Sequence, residues 1–301
     1  MGCAGSPGRR RACSANNAVA VNNNATTTGL RIVHLHIPKT AGSTFNQILR
    51  RRFPSRLIYE YQSYFNDSGY DESGLLEARD TRLVALGHMD FRCRPFLPAQ
   101  ALIVSFLRDP VERVLSGYYN VLRDKTNPVY AAVREMSLGE YVDSGLVRDV
   151  DNGQVRRIAG LGMDVPFGAV GVEHLAMAMR NIAGNAYFIG ITERFDESLV
   201  LLEDALGIQF PNYVPINTGN NRPRSCDEHD VQIQKVRAHN RYDQQLYDAQ
   251  LALMEQRIAA AAELPTRLRR YRSWQPAYRY ISIPQRLASR LRNRLRQMIG
   301  K

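Results

Sequence analysis

One segment, residues 32–43, constrains the fold of this chain more than any other. It reads IVHLHIPKTAGS, an apolar run that stops at Pro38 and leads through a short loop into a segment with apolar residues at helical spacing. This order predicts a strand, a tight loop and a helix. Backbone N–H groups at a helix N-terminus lack intrahelical partners, and the helix dipole is positive there. A loop of this kind suits a phosphate or sulfate group.

The loop does not follow the Walker A pattern of ATPases and GTPases. In that pattern a lysine directly follows the second glycine, whereas Lys39 precedes Gly42. An ordinary nucleotide triphosphatase is therefore a poor explanation. The alternative to an anion site is a plain strand-to-helix turn in which Ser43 or Thr44 caps the helix.

Short apolar runs predict the rest of a sheet. They lie at residues 57–61, 83–86, 101–107 and 186–191, and helical segments separate most of them. Short buried strands that alternate with helices indicate a parallel sheet covered on both faces. We therefore predict an α/β protein, with a three-layer P-loop-like fold and a central parallel sheet flanked by helices. Further on, Thr192 is expected to cap a helix that ends at Leu206, and residues 228–263 are expected to form one long helix.

Polar residues of unusual type follow three of the predicted strands. They are the loop 38–44, His88 after Gly87, and the segment 108–116, in which Asp109 and Pro110 are a strong helix start. Ligands of parallel sheets bind beyond the carboxyl ends of the strands. The three segments are therefore expected to meet at one site.

Arg108 and Ser116 are candidates for a second phosphate site. A guanidinium at the end of a buried strand can bind a phosphate with two hydrogen bonds. Ser116 lies about two helical turns further on, on a compatible face. The alternative is a surface salt bridge between Arg108 and either Asp109 or Glu112.

Composition and charge divide the chain into three parts. The first 29 residues are rich in Ala, Asn, Thr, Gly and Ser and are expected to be disordered. Residues 30–265 form the predicted domain. Residues 266–301 carry eleven Lys or Arg and no Asp or Glu, whereas the other 265 residues hold 29 charges of each sign. Such a basic tail suggests contact with a membrane surface or another polyanion, and a solvated helix face is the alternative.

Cysteines and hydropathy bear on the compartment. Four scattered cysteines show no metal-ligand spacing and are too few for a disulfide scaffold. A reducing compartment fits them best. No apolar run is long enough for a transmembrane helix, and no signal peptide is evident. These features predict a cytoplasmic protein, with the tail as a possible peripheral contact to a membrane and no nucleic acid partner.

Two segments together resemble the cofactor motifs of sulfotransferases. They are HIPKTAGST at residues 36–44 and VSFLRDPVERVLSGYY at residues 104–119. Their sequences are similar to those of the glycan-modifying branch that includes heparan sulfate 2-O-sulfotransferase and its bacterial relatives. The stretches 152–160 and 190–195 resemble that branch as well. The resemblance covers roughly residues 32–206 and implies 3′-phosphoadenosine-5′-phosphosulfate (PAPS) as co-substrate, no metal, and a hydroxyl-bearing acceptor, a glycan.

The resemblance also implies roles for individual residues. Lys39 would contact the bridging oxygen between the phosphate and the sulfuryl group, and Arg108 and Ser116 would bind the 3′-phosphate. Gln154 and Arg157 would touch the cofactor or the acceptor. The 5′-phosphate would be lined by Thr40, Ala41, Gly42, Ser43 and Thr44.

The acceptor hydroxyl must lose a proton as it attacks, and His88 matches the general base of the family. A histidine suits this task at neutral pH because its ordinary pKa is near 6.5. Asp90 and Glu60, both near strand ends, are the other candidates, and a satisfied buried histidine is the non-catalytic alternative for His88. His34 and His36 alternate within the first strand and are expected to be structural.

Two other functions remain open at this point. The first is an atypical P-loop nucleotide kinase, which would require Mg²⁺ and an acidic residue at the end of a buried strand. Asp109 is the candidate for that acid. The second is a non-enzymatic module that binds an acidic glycan or a membrane through its tail. The identity of the acceptor depends on pocket shape and a few polar contacts, which the sequence does not define.

Overall fold

The computed structural model describes residues 31–61, 72–162, 164–214, 228–269 and 272–273. The predicted disordered segment 1–29 and most of the predicted tail 266–301 lie outside these residues.

Five parallel strands form a single sheet in the order β2-β3-β1-β4-β5. The predicted α/β architecture with a central parallel sheet is thus confirmed. Strand β1 lies in the middle, with β3 on one side and β4 on the other, and Leu35 is opposite Gly87 in the register. The strands are β1 (Ile32–Leu35), β2 (Ile58–Tyr61), β3 (Val84–Gly87), β4 (Leu102–Leu107) and β5 (Tyr187–Ile191).

Helices connect the strands and continue beyond the sheet. The first part of the chain contains α1 (Gly42–Arg52), α2 (Glu72–Thr81), α3 (Pro110–Arg123), α4 (Tyr130–Val133) and α5 (Leu138–Asp143). The second part contains α6 (Gly153–Ala159), α7 (Val172–Ala183), α8 (Phe195–Leu206), α9 (Glu228–His239) and α10 (Arg241–Ala260).

Two apolar clusters hold the elements that carry the site. The main core lies around the sheet, and every residue of β1, β3 and β4 is buried. A second cluster packs one side of α3 against α5 and α9, through residues such as Leu115, Tyr141 and Val236. The hydroxyl of Tyr118 also donates to the carbonyl of Met136 at 2.7 Å. Helix α3 is therefore fixed along its length, and its other face is available to the site.

The predicted start of a helix at Thr192 is wrong. Thr192 belongs to a single 3₁₀ turn, Thr192–Arg194, and α8 begins at Phe195. The hydroxyl of Thr192 donates to the carbonyl of Leu107 at 2.9 Å, so it links β4 to β5 and does not cap a helix.

The predicted long helix over 228–263 is two helices. They are separated at Asn240, which is almost fully buried. Its side-chain amide donates to the carbonyls of Val150 and Val236 at 2.7 and 2.8 Å. An asparagine that bonds to the backbone in this way competes with the helical hydrogen bonds, and the helix is interrupted there.

The first arginines of the basic tail pair with α8. Arg267 contacts Glu203 at 3.1 Å and Asp204 at 2.5 Å, and Arg272 contacts Asp196 and Glu197, each at 2.9 Å. These two positive charges of the tail are therefore already matched by carboxylates of the domain.

Candidate active site at the carboxyl edge of the sheet

The strand order brings the three predicted segments together. The loop after β1, His88 after β3 and Arg108 after β4 leave neighbouring strands at the same edge of the sheet. Contacts between them agree with this placement: Arg108 donates to the carbonyl of Lys39 at 3.2 Å, and His88 contacts the carbonyl of His36.

The loop between β1 and α1 has an unusual backbone. Lys39 and Ala41 have positive φ values, 69° and 65°, although neither is glycine. Ala41 precedes α1 and makes no side-chain cap, so neither Ser43 nor Thr44 serves as the N-cap residue. The hydroxyl of Thr40 donates to the carbonyl of Ile37 at 2.8 Å and closes the loop. Left-handed residues of this kind cost about 1–3 kcal/mol each and cluster at ligand-binding loops.

Lys39 points along α3. Its Nζ donates to Oδ1 of Asn120 at 3.0 Å, and its stem passes over Gly117, where a Cβ would lie 4.0 Å from the lysine Cγ. Burial lowers the pKa of Lys39 from 10.5 to about 8, and the nearby charges of Arg123 and Arg108 contribute. Lys39, Arg108 and Arg123 therefore repel one another here. A bound anion would relieve this repulsion.

Arg108 forms the salt bridge with Glu112 that was the alternative to a phosphate site, and it also contacts the loop after β1. One nitrogen of its guanidinium lies 3.2 Å from Glu112, and the other donates to the carbonyl of Lys39. Ser116 is half-buried one turn after Glu112, on the face of α3 that also carries Asn120. Arg108 contacts Glu112 and Lys39 contacts Asn120, so both cations lie against the face of α3 that carries Ser116.

The backbone around Arg108 is held from two sides. The side-chain amide of Gln154 accepts from the N–H of Arg108 at 2.9 Å and donates to its carbonyl at 3.0 Å. The carboxylate of Glu193 accepts from the N–H of Asp109 at 3.2 Å and from the hydroxyl of Tyr247. The two stretches that resemble sulfotransferases, 152–160 and 190–195, therefore support the turn that presents Arg108.

Gln154 is in turn held by α10. The buried carboxylate of Asp243 accepts from the N–H groups of Gln154 and Val155 at 3.0 and 2.8 Å. Asp243 also forms a salt bridge with Arg113 at 3.4 Å, and both of these side chains are almost completely buried. Gln154 itself is fully buried. The structure thus places its amide against Arg108, and direct contact with a ligand stays a prediction.

His88 is oriented by a backbone carbonyl. Its Nδ1 lies 3.2 Å from the carbonyl oxygen of His36. A carbonyl only accepts, so Nδ1 carries the proton and the lone pair of the neutral ring is on Nε2. Burial lowers the pKa of His88 below its ordinary 6.5, and the charge of Arg157 lowers it further. The ring is therefore neutral at pH 7 and able to accept a proton.

Arg157 lies directly beside His88. It donates to the carbonyl of His88 at 3.1 Å and pairs with Asp149 at 3.1 Å, and both charged side chains are largely buried. Burial opposes the ionisation of Asp149, but the charges of Arg157 and Arg113 outweigh it and lower its pKa. Arg157 thus fixes the backbone of the predicted base, and its contact with the cofactor or the acceptor stays a prediction.

The two other candidate bases are engaged elsewhere. Glu60 forms a two-bond salt bridge with Arg50 at 2.7 and 3.0 Å, which lowers its pKa and weakens it as a base. Asp90 accepts from the backbone N–H of Arg92 and pairs with its guanidinium at 2.8 Å.

Sequence reasoning missed Asn120 and Arg123. Both follow Ser116 at helical spacing, four and seven residues later, so the pattern of α3 could have indicated them. It also missed Asp243, for which the sequence contains no signal because α10 is distant in the chain.

Two properties of the described residues bear on cofactors and membranes. Within the described ranges, His, Cys, Asp and Glu side chains do not form a group of three or more that could hold a metal ion. None of the helices in these ranges is long and apolar enough to cross a bilayer.

Comparison with known proteins finds one family match. Residues 25–156 match the model of the sulfotransferase family, and this segment contains the loop after β1, His88, Arg108 and the start of α6. The match covers a little under half of the chain. This part of the chain is therefore similar to the sulfotransferase family. A search of curated proteins finds no match.

Two solved structures are similar to the chain. One is mouse sulfotransferase SULT7A1 complexed with PAP, at 15% identity and a TM-score of 0.35. The match covers 70% of this chain and 63% of the mouse protein, so the chain spans less than two thirds of its length. The other is a sulfotransferase from Alicyclobacillus acidocaldarius, at 17% identity and a TM-score of 0.42, covering 73% of this chain and 95% of that one.

Proposed function

We propose that this protein transfers a sulfuryl group from PAPS to a hydroxyl group of an acceptor, and that the acceptor is a carbohydrate. The observation that carries the proposal is the meeting, at one sheet edge, of a strained cation-bearing loop, Arg108 and a neutral histidine with its lone pair on Nε2. The sulfotransferase family match over residues 25–156 supports it.

The loop after β1 is proposed to hold the 5′-phosphosulfate. Its hydroxyl and N–H donors lie at the N-terminus of α1, where an anion is stabilised. PAPS, when bound, supplies the sulfuryl group and a phosphate leaving group on which negative charge grows. Lys39 stabilises that charge because it is preorganised in a partly buried position beside the loop. The residues of this part of the site are Lys39, Thr40, Ala41, Gly42, Ser43 and Thr44.

Arg108 and Ser116 are proposed to hold the 3′-phosphate. Binding a dianion there would compete with Glu112 for the guanidinium, because Glu112 contacts the same group at 3.2 Å. The two hydrogen bonds from Gln154 keep the backbone of Arg108 in place when its side chain changes partner. A mouse sulfotransferase solved in complex with PAP (3′-phosphoadenosine-5′-phosphate) is among the similar structures, in line with a nucleotide of this type.

His88 is proposed as the general base. It accepts the proton of the acceptor hydroxyl at Nε2, while Nδ1 keeps its bond to the carbonyl of His36. Arg157 is proposed to lie close to the acceptor because it contacts the backbone of His88. The carbohydrate acceptor rests on the resemblance of residues 36–44 and 104–119 to the glycan-modifying branch.

A kinase role receives no support from the predicted acid, Asp109. Its carboxylate accepts from the N–H of Glu112 at 2.9 Å and caps α3. An aspartate used in this way does not project from the strand end toward a magnesium ion.

The test is transfer of radioactive sulfate from ³⁵S-labelled PAPS without added metal. A desulfated heparan polysaccharide and a simple phenol serve as contrasting acceptors. We expect label on the polysaccharide, and loss of about 10²–10⁴-fold in turnover for His88→Ala, the range that general bases contribute. Lys39→Ala is expected to be inactive.

Two residues outside the proposed site, the exposed Lys125 and the half-buried His239, provide matched controls. Lys125→Ala removes a lysine just beyond α3, and His239→Asn removes a histidine at the end of α9. Both variants should keep wild-type turnover. Labelling of the phenol alone would contradict the carbohydrate acceptor, and no labelling together with turnover of ATP·Mg²⁺ would contradict the transferase.

The basic tail is proposed as an accessory contact for a polyanion or a membrane surface. Arg267 and Arg272 already pair with α8, so the other cations of the tail, most of which lie in residues 274–301, would have to supply the contact. Deletion of residues 274–301 should lower binding to anionic vesicles or to heparin while turnover of a small acceptor is kept. Equal binding by the truncated protein would refute this role.

A further inference from the structure

Three imidazole rings form a stack that leads from the core to the site. The ring of His34 lies 5.2 Å from that of His36 with 17° between the planes, and His36 lies 4.2 Å from His88 with 23° between them. His34 is fully buried and packs edge-on against Phe45 at 4.8 Å. Residues two apart in a strand share one face, which explains why the first two rings stack.

The ring of His36 fills the space between the base and the anion loop. A Cβ at Gly42, the first residue of α1, would lie only 1.9 Å from Cδ2 of His36. The ring also stacks on that of His88. His36 is almost fully buried, so its ring cannot move aside into solvent. The ring therefore packs against both the start of α1 and the ring of His88.

The backbone of His36 is tied to the same strand end twice. Its N–H donates to the carbonyl of Gly87 at 2.9 Å. Its carbonyl accepts from Nδ1 of His88, the residue that follows Gly87. The first bond continues the ladder between β1 and β3 beyond the last paired residues. The second selects the tautomer in which Nε2 can accept a proton.

We propose that His36 is a positioning residue for sulfuryl transfer: its carbonyl fixes the tautomer of His88, and its ring, held between Gly42 and His88, fixes the base relative to the phosphosulfate loop. This inference rests on the proposed function, because it gives His36 a role in the step that His88 performs. It also departs from the expectation that His36 is merely structural.

The charge state of His36 suits this role. Burial holds its pKa well below 6.5, and the charges of His88, His34, Arg157 and Lys39 lower it further, so the ring is neutral when His88 accepts a proton. The other charged groups that act on His88 are Arg157, Asp149 and Lys39. As His88 becomes an imidazolium, its bond to the carbonyl of His36 becomes charge-assisted and stronger.

The experiment compares His36→Phe with His36→Leu, since both replacements fill the space and only the first keeps a flat ring. The tautomer of His88 is read from ¹⁵N NMR shifts of its ring at pH 7.5, without acceptor. Turnover and KM for PAPS are measured in parallel, together with PAP binding. His239→Asn serves as the control and should match the wild type in every measurement.

We expect His36→Phe to keep the Nδ1–H tautomer and turnover within about threefold. His36→Leu should give a mixture of tautomers and a kcat lower by about 10–100-fold, the effect of a small misplacement of a catalytic group, while PAP affinity stays within threefold. Wild-type kcat and tautomer in His36→Leu would overturn the proposal. So would a loss of PAP affinity that equals the loss of kcat/KM with the tautomer unchanged, because that result shows a structural role alone.

The same measurements separate the inference from the function on which it rests. Absence of PAP binding by the wild type would refute the proposed function. The tautomer comparison needs neither nucleotide nor acceptor and would still report whether His36 orients His88.

Discussion

Binding of PAP above pH 8 is expected to take up protons at Lys39. The pKa of this lysine is lowered to about 8 by burial and by the charges of Arg123 and Arg108. Phosphate groups placed beside it would reverse that effect and return the pKa toward its ordinary 10.5. The lysine therefore gains a proton when the anion binds.

The size of the effect depends on pH in a calculable way. At pH 8.5, roughly a quarter of the Lys39 side chains carry a proton before binding, so complete protonation takes up about 0.75 proton for each PAP bound. At pH 6.5 nearly all are protonated already, and the uptake at Lys39 falls to about zero. The phosphates of PAP are fully ionised at pH 8.5 and contribute little there.

Calorimetry in buffers of different ionisation enthalpy measures this uptake. The observed binding enthalpy at pH 8.5 should vary with the ionisation enthalpy of the buffer, and the slope of that dependence should correspond to about 0.75 proton. The control is Lys39→Arg, which keeps the positive charge but cannot lose its proton in this range, and its slope should be near zero. A zero slope for the wild type, or equal slopes for both proteins, would refute the electrostatic account of the loop.

Three further predictions follow from the contacts of the site. The value of kcat/KM should rise with pH through the pKa of His88, which lies below 6.5, because the base must be neutral. It should fall again through about pH 8, as Lys39 loses its proton in the free enzyme. In Lys39→Arg only the rise at acidic pH should remain. Glu112→Gln should tighten PAP binding by about two- to fivefold in calorimetry, because a part-exposed salt bridge of Arg108 is worth at most about 1 kcal/mol; weaker binding would show that Glu112 assists the site. Asp243→Ala should lower the free energy of unfolding in urea by about 3–5 kcal/mol, because it leaves a buried guanidinium without its carboxylate; a loss under 1 kcal/mol would contradict this.

The sequence was sufficient to predict the sheet and the meeting of three polar segments at one of its edges. Apolar runs with β-branched centres indicated the strands, and the rule that ligands bind at carboxyl ends indicated where the polar residues meet. Lys39, His88 and Arg108 do lie at one edge, because β3, β1 and β4 are neighbours. These features are local in the sequence or follow from a general property of parallel sheets.

The supports of the site could not be predicted in the same way. Gln154 and Asp243 are far apart in the sequence, and their link to Arg108 depends on how α6 and α10 pack. The break at Asn240 depends on the carbonyl of Val150, which periodicity does not reveal. The role of the ring of His36 depends on a contact of 4.2 Å with His88, across two strands.

Binding of PAP without metal tests the central claim, that the carboxyl edge of this sheet is a PAPS site, most directly. Isothermal calorimetry of the wild type, Arg108→Ala and the control Lys125→Ala at pH 7 is sufficient. We expect micromolar binding by the wild type and the control, and a loss of at least tenfold in Arg108→Ala, since a charge-assisted bond to phosphate contributes about 1.5–3 kcal/mol. No binding of PAP at millimolar concentration, with binding of ATP·Mg²⁺ in its place, would contradict the account.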